Sequence, residues 1–266
     1  MIRTRSIDNY LILSAFSADF IAGFFQNSAA HAYMINSANR MPSKIRFRNR
    51  ATFHDMENRL IAVRLSAQQL SDPRFDDPRA LVRWMGAVQA QDYKAVRWAV
   101  GIRLRTASLR AVNRALERGE ILRTHVMRPT WHLVAAEDIR WMLRLSARRI
   151  RSANSSLARS RGLGIDDGMY SRSNRLIEKM LRGNLCLTKR QIADRFQAAG
   201  IAADTHFMTR YLMRAEADGI VCSGPDRAGQ FTYALLEERV APVPELTRDE
   251  SLGRLARAYF RSHSPA

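Results

Sequence analysis

From residue 57 onward, apolar positions recur at helical spacing and are interrupted at regular intervals by capping residues and short β-rich runs. Leu81, Val82, Met85 and Val88 share one helical face behind Asp76 or Asp77 and Pro78, a pairing that opens helices because aspartate accepts from the first free N–H groups. The apolar period carries this helix into Gln89. A second helix is predicted from Ala95 to about Leu104. Ser108 opens a third, with Leu109, Val112 and Leu116 inward and Gly119 as its stop. The runs ILRTHV and TWHLVA, separated by Met127-Arg128-Pro129, predict two strands of a hairpin.

The same order returns about a hundred residues later. Ser173 is expected to open a helix carrying Leu176, Ile177, Met180 and Leu181. Thr188 and Gln191 form a T-x-x-Q capping box for the next helix, which Gly200 closes, and Asp204 caps a third that ends at Gly219. Strands IVCS and QFTYALL follow, joined by the turn-rich stretch Gly224 to Gly229. Letters repeat as well as pattern, with Thr130-Trp131-His132-Leu133-Val134 answered by Thr232-Tyr233-Ala234-Leu235-Leu236. Three helices followed by a hairpin, twice over, predict a mainly α protein with short β-hairpins built from tandem winged-helix units.

Between the copies, Glu137 to Arg151 predicts a helix with Ile139, Met142, Leu143 and Ile150 on one side and Arg140, Arg144, Arg148 and Arg151 on the other. That arginine stripe is either a solvated face or a phosphate-contacting one. The Ser-, Arg- and Gly-rich stretch from Ser152 to Gly168 is expected to be the linker. Its Gly162-Leu163-Gly164 follows no strand and so is no nucleotide fingerprint. After Pro242 and Pro244 a further amphipathic helix is predicted near Leu252, with Leu255, Tyr259 and Phe260 inward, as the start of an incomplete third unit. The expected division is therefore an extension over 1–55, a first unit over 56–151, a linker and second unit over 152–240, and the third unit's beginning over 241–266.

Charge narrows the partners. The 266 residues hold 43 Lys and Arg against 25 Asp and Glu, a net charge of +18. Such an excess points to a polyanion, with double-stranded DNA the leading expectation and a solubilising basic surface the plain alternative. Arginine dominates, and its planar fork suits phosphates and base edges. The apolar run at 11–35 is interrupted by Asp19, Gln26, Asn27 and His31, too soon for a membrane span. Cys186 and Cys222 stand apart from other metal-ligating residues, and predict reduced core thiols of a cytoplasmic protein with neither metal nor cofactor.

Two groups of residues carry candidate chemistry. In the second copy, the third helix would be the recognition helix, offering Thr205, His206, Thr209, Arg210 and Arg214 to base edges or to phosphates, with Arg227 on the following wing. In the first copy, the stretch GAVQAQDY sets Gln89 and Gln91 two apart. Residues at that spacing diverge on a helix and share a face on an extended segment, so the pair converges only if the helix ends at or before Gln89. Two convergent amides position one water. By the same alternation Asp92 points away and is read as structural. His125 and His132 lie on the hairpin near Arg128 and Thr130, either packing there or contacting substrate or DNA; a regular strand would put Arg128, Thr130 and His132 on one face.

GAVQAQDY, LERGEILRTHVMRPTWHLVAAEDIRWML, LTKRQIADRFQAAG and RAEADGIVCSGPDRAGQFTYALLEERV together resemble the AlkZ-like family of winged-helix DNA glycosylases, from about Leu60 to the C-terminus. The resemblance implies tandem winged helices lining a concave DNA channel, and excision of alkylated bases including N7-alkylguanine and interstrand-crosslink adducts. The family's Gln-x-Gln signature, with an apolar middle residue, falls on Gln89, Ala90 and Gln91. Ala90 is smaller than the aliphatic residue often found there, and family members carry a completed third winged helix. A non-catalytic DNA-binding protein and an inactive fragment are the alternatives to a monomeric glycosylase.

Overall fold

The computed structural model describes residues 50–265, with side chains from Met56 onward. The expected extension over 1–55, with its apolar run, falls outside the described residues apart from the first turns of helix α1 (Arg50–Ala67). The described chain is mainly helical with two small antiparallel sheets.

Asp77 accepts from the N–H groups of Arg79 and Ala80 at 3.0 and 3.3 Å, so helix α2 (Pro78–Met85) starts where Asp-Pro predicts. It stops before Gln89. Gly86 takes φ 80°, a conformation that side chains disfavour, and turns the chain into strand β1 (Ala87–Gln89). Helical periodicity overran this turn because Val88 keeps the apolar spacing while packing inward from a strand. Helix α3 (Tyr93–Gly101) begins at the Asp92 cap, a little ahead of the expected Ala95, and α4 (Leu109–Arg118) lies between Ser108 and Gly119 as expected. Strands β2 (Ile121–His125) and β3 (Trp131–Ala135) form the hairpin, and β1 adds to the free edge of β3, giving the order β1-β3-β2.

Helix α5 (Ile139–Ser160) runs through much of the predicted linker. Serine and arginine did not break it, and its inward stripe continues through Ile150, Asn154 and Ala158 until Gly162. Asp166, not Ser173, caps helix α6 (Asp167–Leu181); Ser173 is buried in mid-helix, its hydroxyl donating to the Tyr170 carbonyl at 2.8 Å. Strand β4 (Leu187–Thr188), helix α7 (Lys189–Ala198) with its Thr188/Gln191 capping box, helix α8 (Thr205–Ala217) under Asp204, and strands β5 (Val221–Ser223) and β6 (Thr232–Leu235) complete a second sheet of order β4-β6-β5. The two sheets match in strand order, and the first strand of each escaped the sequence because a run of two or three residues has no readable alternation.

Each unit has its own core, one around Leu81, Val96, Val112 and Leu133 and the other around Tyr170, Phe196, Tyr211 and Leu235. A third cluster joins them, with Leu122 and Val134 of the first sheet packed in common with Trp141 and Met142 of α5 and with Cys222 and Leu236 of the second unit. Burial pushes the Cys222 thiol up to about 12, while Cys186 is only half-buried and so is no core residue. After the short helix α9 (Leu236–Arg239), helix α10 (Arg248–His263) starts earlier than expected, at a Thr247/Glu250 capping box. Its Leu252, Leu255 and Tyr259 join that third cluster, and α10 packs on α1, α2 and α5. The helix expected to begin a further unit thus finds the partner for its apolar face in the first. Phe260, expected inward, is 43% exposed.

Candidate active site

The Gly86 turn takes both glutamines out of the helix. Beyond it the chain is extended, and the Ala90 N–H donates to the Trp131 carbonyl at 2.7 Å, carrying the ladder one residue past β1. Val88 and Ala90 point into the core, Gln89 is half-buried on the opposite side and Gln91 is exposed. Alternation therefore puts both glutamine side chains on one side of the segment. It also explains the apolar middle position, since Ala90 is fully buried. The Gln91 Oε1 accepts from the Trp131 N–H at 3.4 Å. Asp92 caps α3 by accepting from Lys94 and Ala95 at 2.9 Å, and those bonds hold its carboxyl below the usual range. It is occupied as a cap.

Gln89 pairs with His132, which in turn pairs with Thr124 on the far strand. Directly opposed residues share a face, so these side chains form one row across the sheet. His132 is fully buried and therefore no surface DNA contact. Its Nδ1 donates to the Thr130 carbonyl at 2.9 Å, leaving Nε2 as a bare acceptor, and burial pulls its pKa down to about 4. The ring is neutral at neutral pH. Arg128 and Thr130 are half-buried in a tight turn where Met127 takes φ 64°, so the regular-strand argument for a face shared with His132 does not hold. The turn still brings Arg128 close enough to depress the His132 pKa further.

A testable consequence is acid sensitivity. The unfolded chain takes up a proton at His132 near its ordinary value of 6.5 and the native state only near 4, so stability is lost as pH falls through that window. The loss should reach about 2 kcal/mol at pH 5 from this residue alone. His263, lowered by burial to about 4, adds in the same direction. Urea unfolding at pH 7 and pH 5 should show a smaller drop for His132→Gln than for the parent; equal drops would mean His132 titrates normally in the native protein.

The expected DNA contacts divide by exposure. Thr205 and His206 are exposed at the start of α8, Thr209 is half-buried and bonded to Lys189 Nζ at 2.7 Å, and His206 Nδ1 accepts from Arg161 at 2.6 Å. Arg227 is exposed in the β5–β6 loop. Arg210, expected at base edges or phosphates, is instead buried at 6% exposure on the inward face of α8. Arg214 is held by Asp218 at 2.8 Å and Asp167 at 3.2 Å beneath the Tyr170 ring, so its guanidinium is already engaged by two carboxylates. On α5, Arg144 pairs with Glu245, Arg151 with Asp218, and Arg140 donates to the Val240 carbonyl; Arg148 is exposed and makes no ion pair among the described residues.

Sequence reasoning missed Arg123. Its guanidinium lies within hydrogen-bond reach of the Ala90 and Gln91 carbonyls, at 2.8 and 3.4 Å, inside a cage of aromatic rings. A charged residue in the middle of the otherwise apolar start of ILRTHV was the available signal. Among the described residues no cluster of three His, Cys, Asp or Glu side chains could hold a metal ion, and no helix is long and apolar enough to cross a membrane. A groove of about 460 Å³ lies elsewhere, between Arg79, Arg83, Trp84 and Arg261.

Residues 82–266 match the family described as DNA glycosylase AlkZ-like. Among solved structures, the fold is similar to that of a Streptomyces sahachiroi DNA glycosylase AlkZ, with a TM-score of 0.62 and 21% identity over 79% of this chain. The chain covers 58% of that protein's length. No curated protein matches it by sequence.

Proposed function

The chain belongs to the AlkZ-like DNA glycosylase family, and from that premise we propose that it hydrolyses the N-glycosidic bond of alkylated purines in double-stranded DNA, with Gln89 and Gln91 positioning the water. The observation that carries this reading is the extended segment behind Gly86, which sets both amides on one side and leaves Gln91 exposed.

The chemistry suits amides. An N7-alkylated purine is already cationic, so breaking C1′–N9 returns the bonding electrons to the ring and leaves a neutral base. Little general-acid help is needed. Water adds to C1′ as the bond breaks, one of its protons leaves to solvent, and amide oxygens hold that water while facing an oxocarbenium-like centre. A neutral His132 adds no positive charge of its own beside a cationic substrate. The same chemistry extends to interstrand crosslinks made through N7 of guanine.

The matching order of helices and strands in the two units supports tandem winged helices, with Thr205, His206, Thr209 and Arg227 as the DNA contacts of the second and Arg148 between the units. We place the protein in the cytoplasm on nucleoid DNA, acting as a monomer without a cofactor. With about six phosphates neutralised, DNA affinity should fall roughly a thousandfold between about 50 and 200 mM salt. Fluorescence anisotropy with duplex DNA checks this; a flat response would remove the electrostatic basis of the reading. The function itself is tested by abasic-site formation in methylated duplex DNA. Tight DNA binding without abasic sites would make the chain a binding module.

A further inference from the structure

Arg123 is buried in the centre of β2, at 9% exposure. Nε and Nη2 donate to the Ala90 carbonyl at 3.1 and 2.8 Å, and Nη2 also reaches the Gln91 carbonyl at 3.4 Å. Its guanidinium lies 4.9 Å from the Tyr93 ring centre, 4.4 Å from that of Trp131 and 5.4 Å from that of Phe231. The rings brace one another, Trp131 and Phe231 meeting edge to face at 5.4 Å. Tyr93 donates its hydroxyl to Asp226 at 3.2 Å, and burial pushes the phenol up to about 12, so it stays a donor.

Two features set this cluster apart from ordinary packing. Phe231 and Asp226 come from the β5–β6 connection of the second unit, whereas Arg123, Tyr93, Trp131 and the glutamine segment belong to the first. No carboxylate lies within ion-pair distance of Arg123 among the described residues; its charge is met by the carbonyls of the Gln-Ala-Gln backbone and by aromatic faces. An apolar residue would fill a strand position between rings at lower desolvation cost. What it could not do is grip those carbonyls.

We propose that Arg123 is a positioning residue, a clasp through which the β5–β6 connection of the second unit fixes the Gln89–Gln91 backbone, so that excision depends on both units at once. The proposal rests on the glutamines being the excision site. A displacement of about 1 Å in a reacting group costs on the order of a hundredfold in rate, so loosening the backbone should act on the chemical step. Lysine keeps the charge but can neither fork across a carbonyl nor stack in the cage.

The test is single-turnover release of N7-methylguanine from duplex DNA by the full chain, after circular dichroism has shown each variant folded. Arg123→Lys should be slower by about tenfold or more with DNA affinity within about twofold of the parent's. Arg123→Ala should regain rate on adding millimolar guanidinium and not ammonium, a response that a merely structural role would not give. Phe231→Leu should slow the parent but add nothing to Arg123→Lys, because both loosen the same contact. Gln91→Ala is the reference. Parental rates in Arg123→Lys beside a Gln91→Ala slowed about a hundredfold would overturn the clasp and leave the glutamine reading standing. Multiplicative losses for Arg123→Lys and Phe231→Leu, or no rescue by guanidinium, would overturn the coupling between the units. A parental rate in Gln91→Ala, or no release by the parent, would overturn the glutamine reading and the clasp with it.

Discussion

Gln91→Ala should lower single-turnover excision of N7-methylguanine by about a hundredfold while leaving DNA affinity within about twofold, and Gln89→Ala should do nearly as much. The expectation follows from position. Gln91 is exposed and projects from a segment whose neighbours Ala90 and Asp92 are occupied in the core and in a helix cap. Removing its amide therefore leaves the core intact and gives up only the 3.4 Å bond from the Trp131 N–H. Gln89 is half-buried beside His132, so its replacement should also cost some stability. A combined variant should be hardly slower than the worse single one, since residues holding one water act as a unit. Multiplicative losses would instead assign the glutamines separate tasks, one with the water and the other with the base.

The largest effect on stability is expected at His125→Ala. His125 is buried in β2 with Nδ1 bonded to Glu216 Oε2 of α8, and Glu216 is fully buried. The Trp131 ring lies against the imidazole at 3.9 Å between centres. Deleting the imidazole leaves a buried carboxylate without its partner, which costs about 3–5 kcal/mol. Glu216→Gln keeps the shape and an acceptor for His125, and should cost only about 1 kcal/mol. Urea denaturation followed by circular dichroism compares the two. Equal losses would mean that the pair contributes packing and not polar satisfaction. Because His125 and Glu216 join the units, His125→Ala should also uncouple their unfolding.

Much of this arrangement is written locally. Asp77-Pro78, Ser108, the Thr188/Gln191 box and Asp204 cap helices through bonds to residues two or three positions away, and such short-range chemistry survives in a single sequence. The hairpins are local for the same reason. Legibility ends where the partner is distant. Arg123 grips Ala90 and Gln91 from another strand, His125 meets Glu216 across the joint between units, and no spacing rule connects residues so far apart. Arg210 and Arg214 misled for a related reason. On a helix packed between α5 and α6, Arg214 is held by carboxylates and a ring that only the fold brings near, and Arg210 is buried by the same packing. The glutamine pair itself was legible as a possibility, and its geometry hung on one glycine whose φ the letters do not show.

The most direct measurement of the central claim is identification, by mass spectrometry, of the base freed from duplex DNA containing N7-methylguanine, with the parent and the Gln89→Ala/Gln91→Ala variant side by side. The proposed glutamine site predicts free N7-methylguanine and an abasic strand from the parent, and release about a hundredfold slower from the variant. Parent and variant releasing base at one rate, or DNA bound by the parent and left intact, would contradict it.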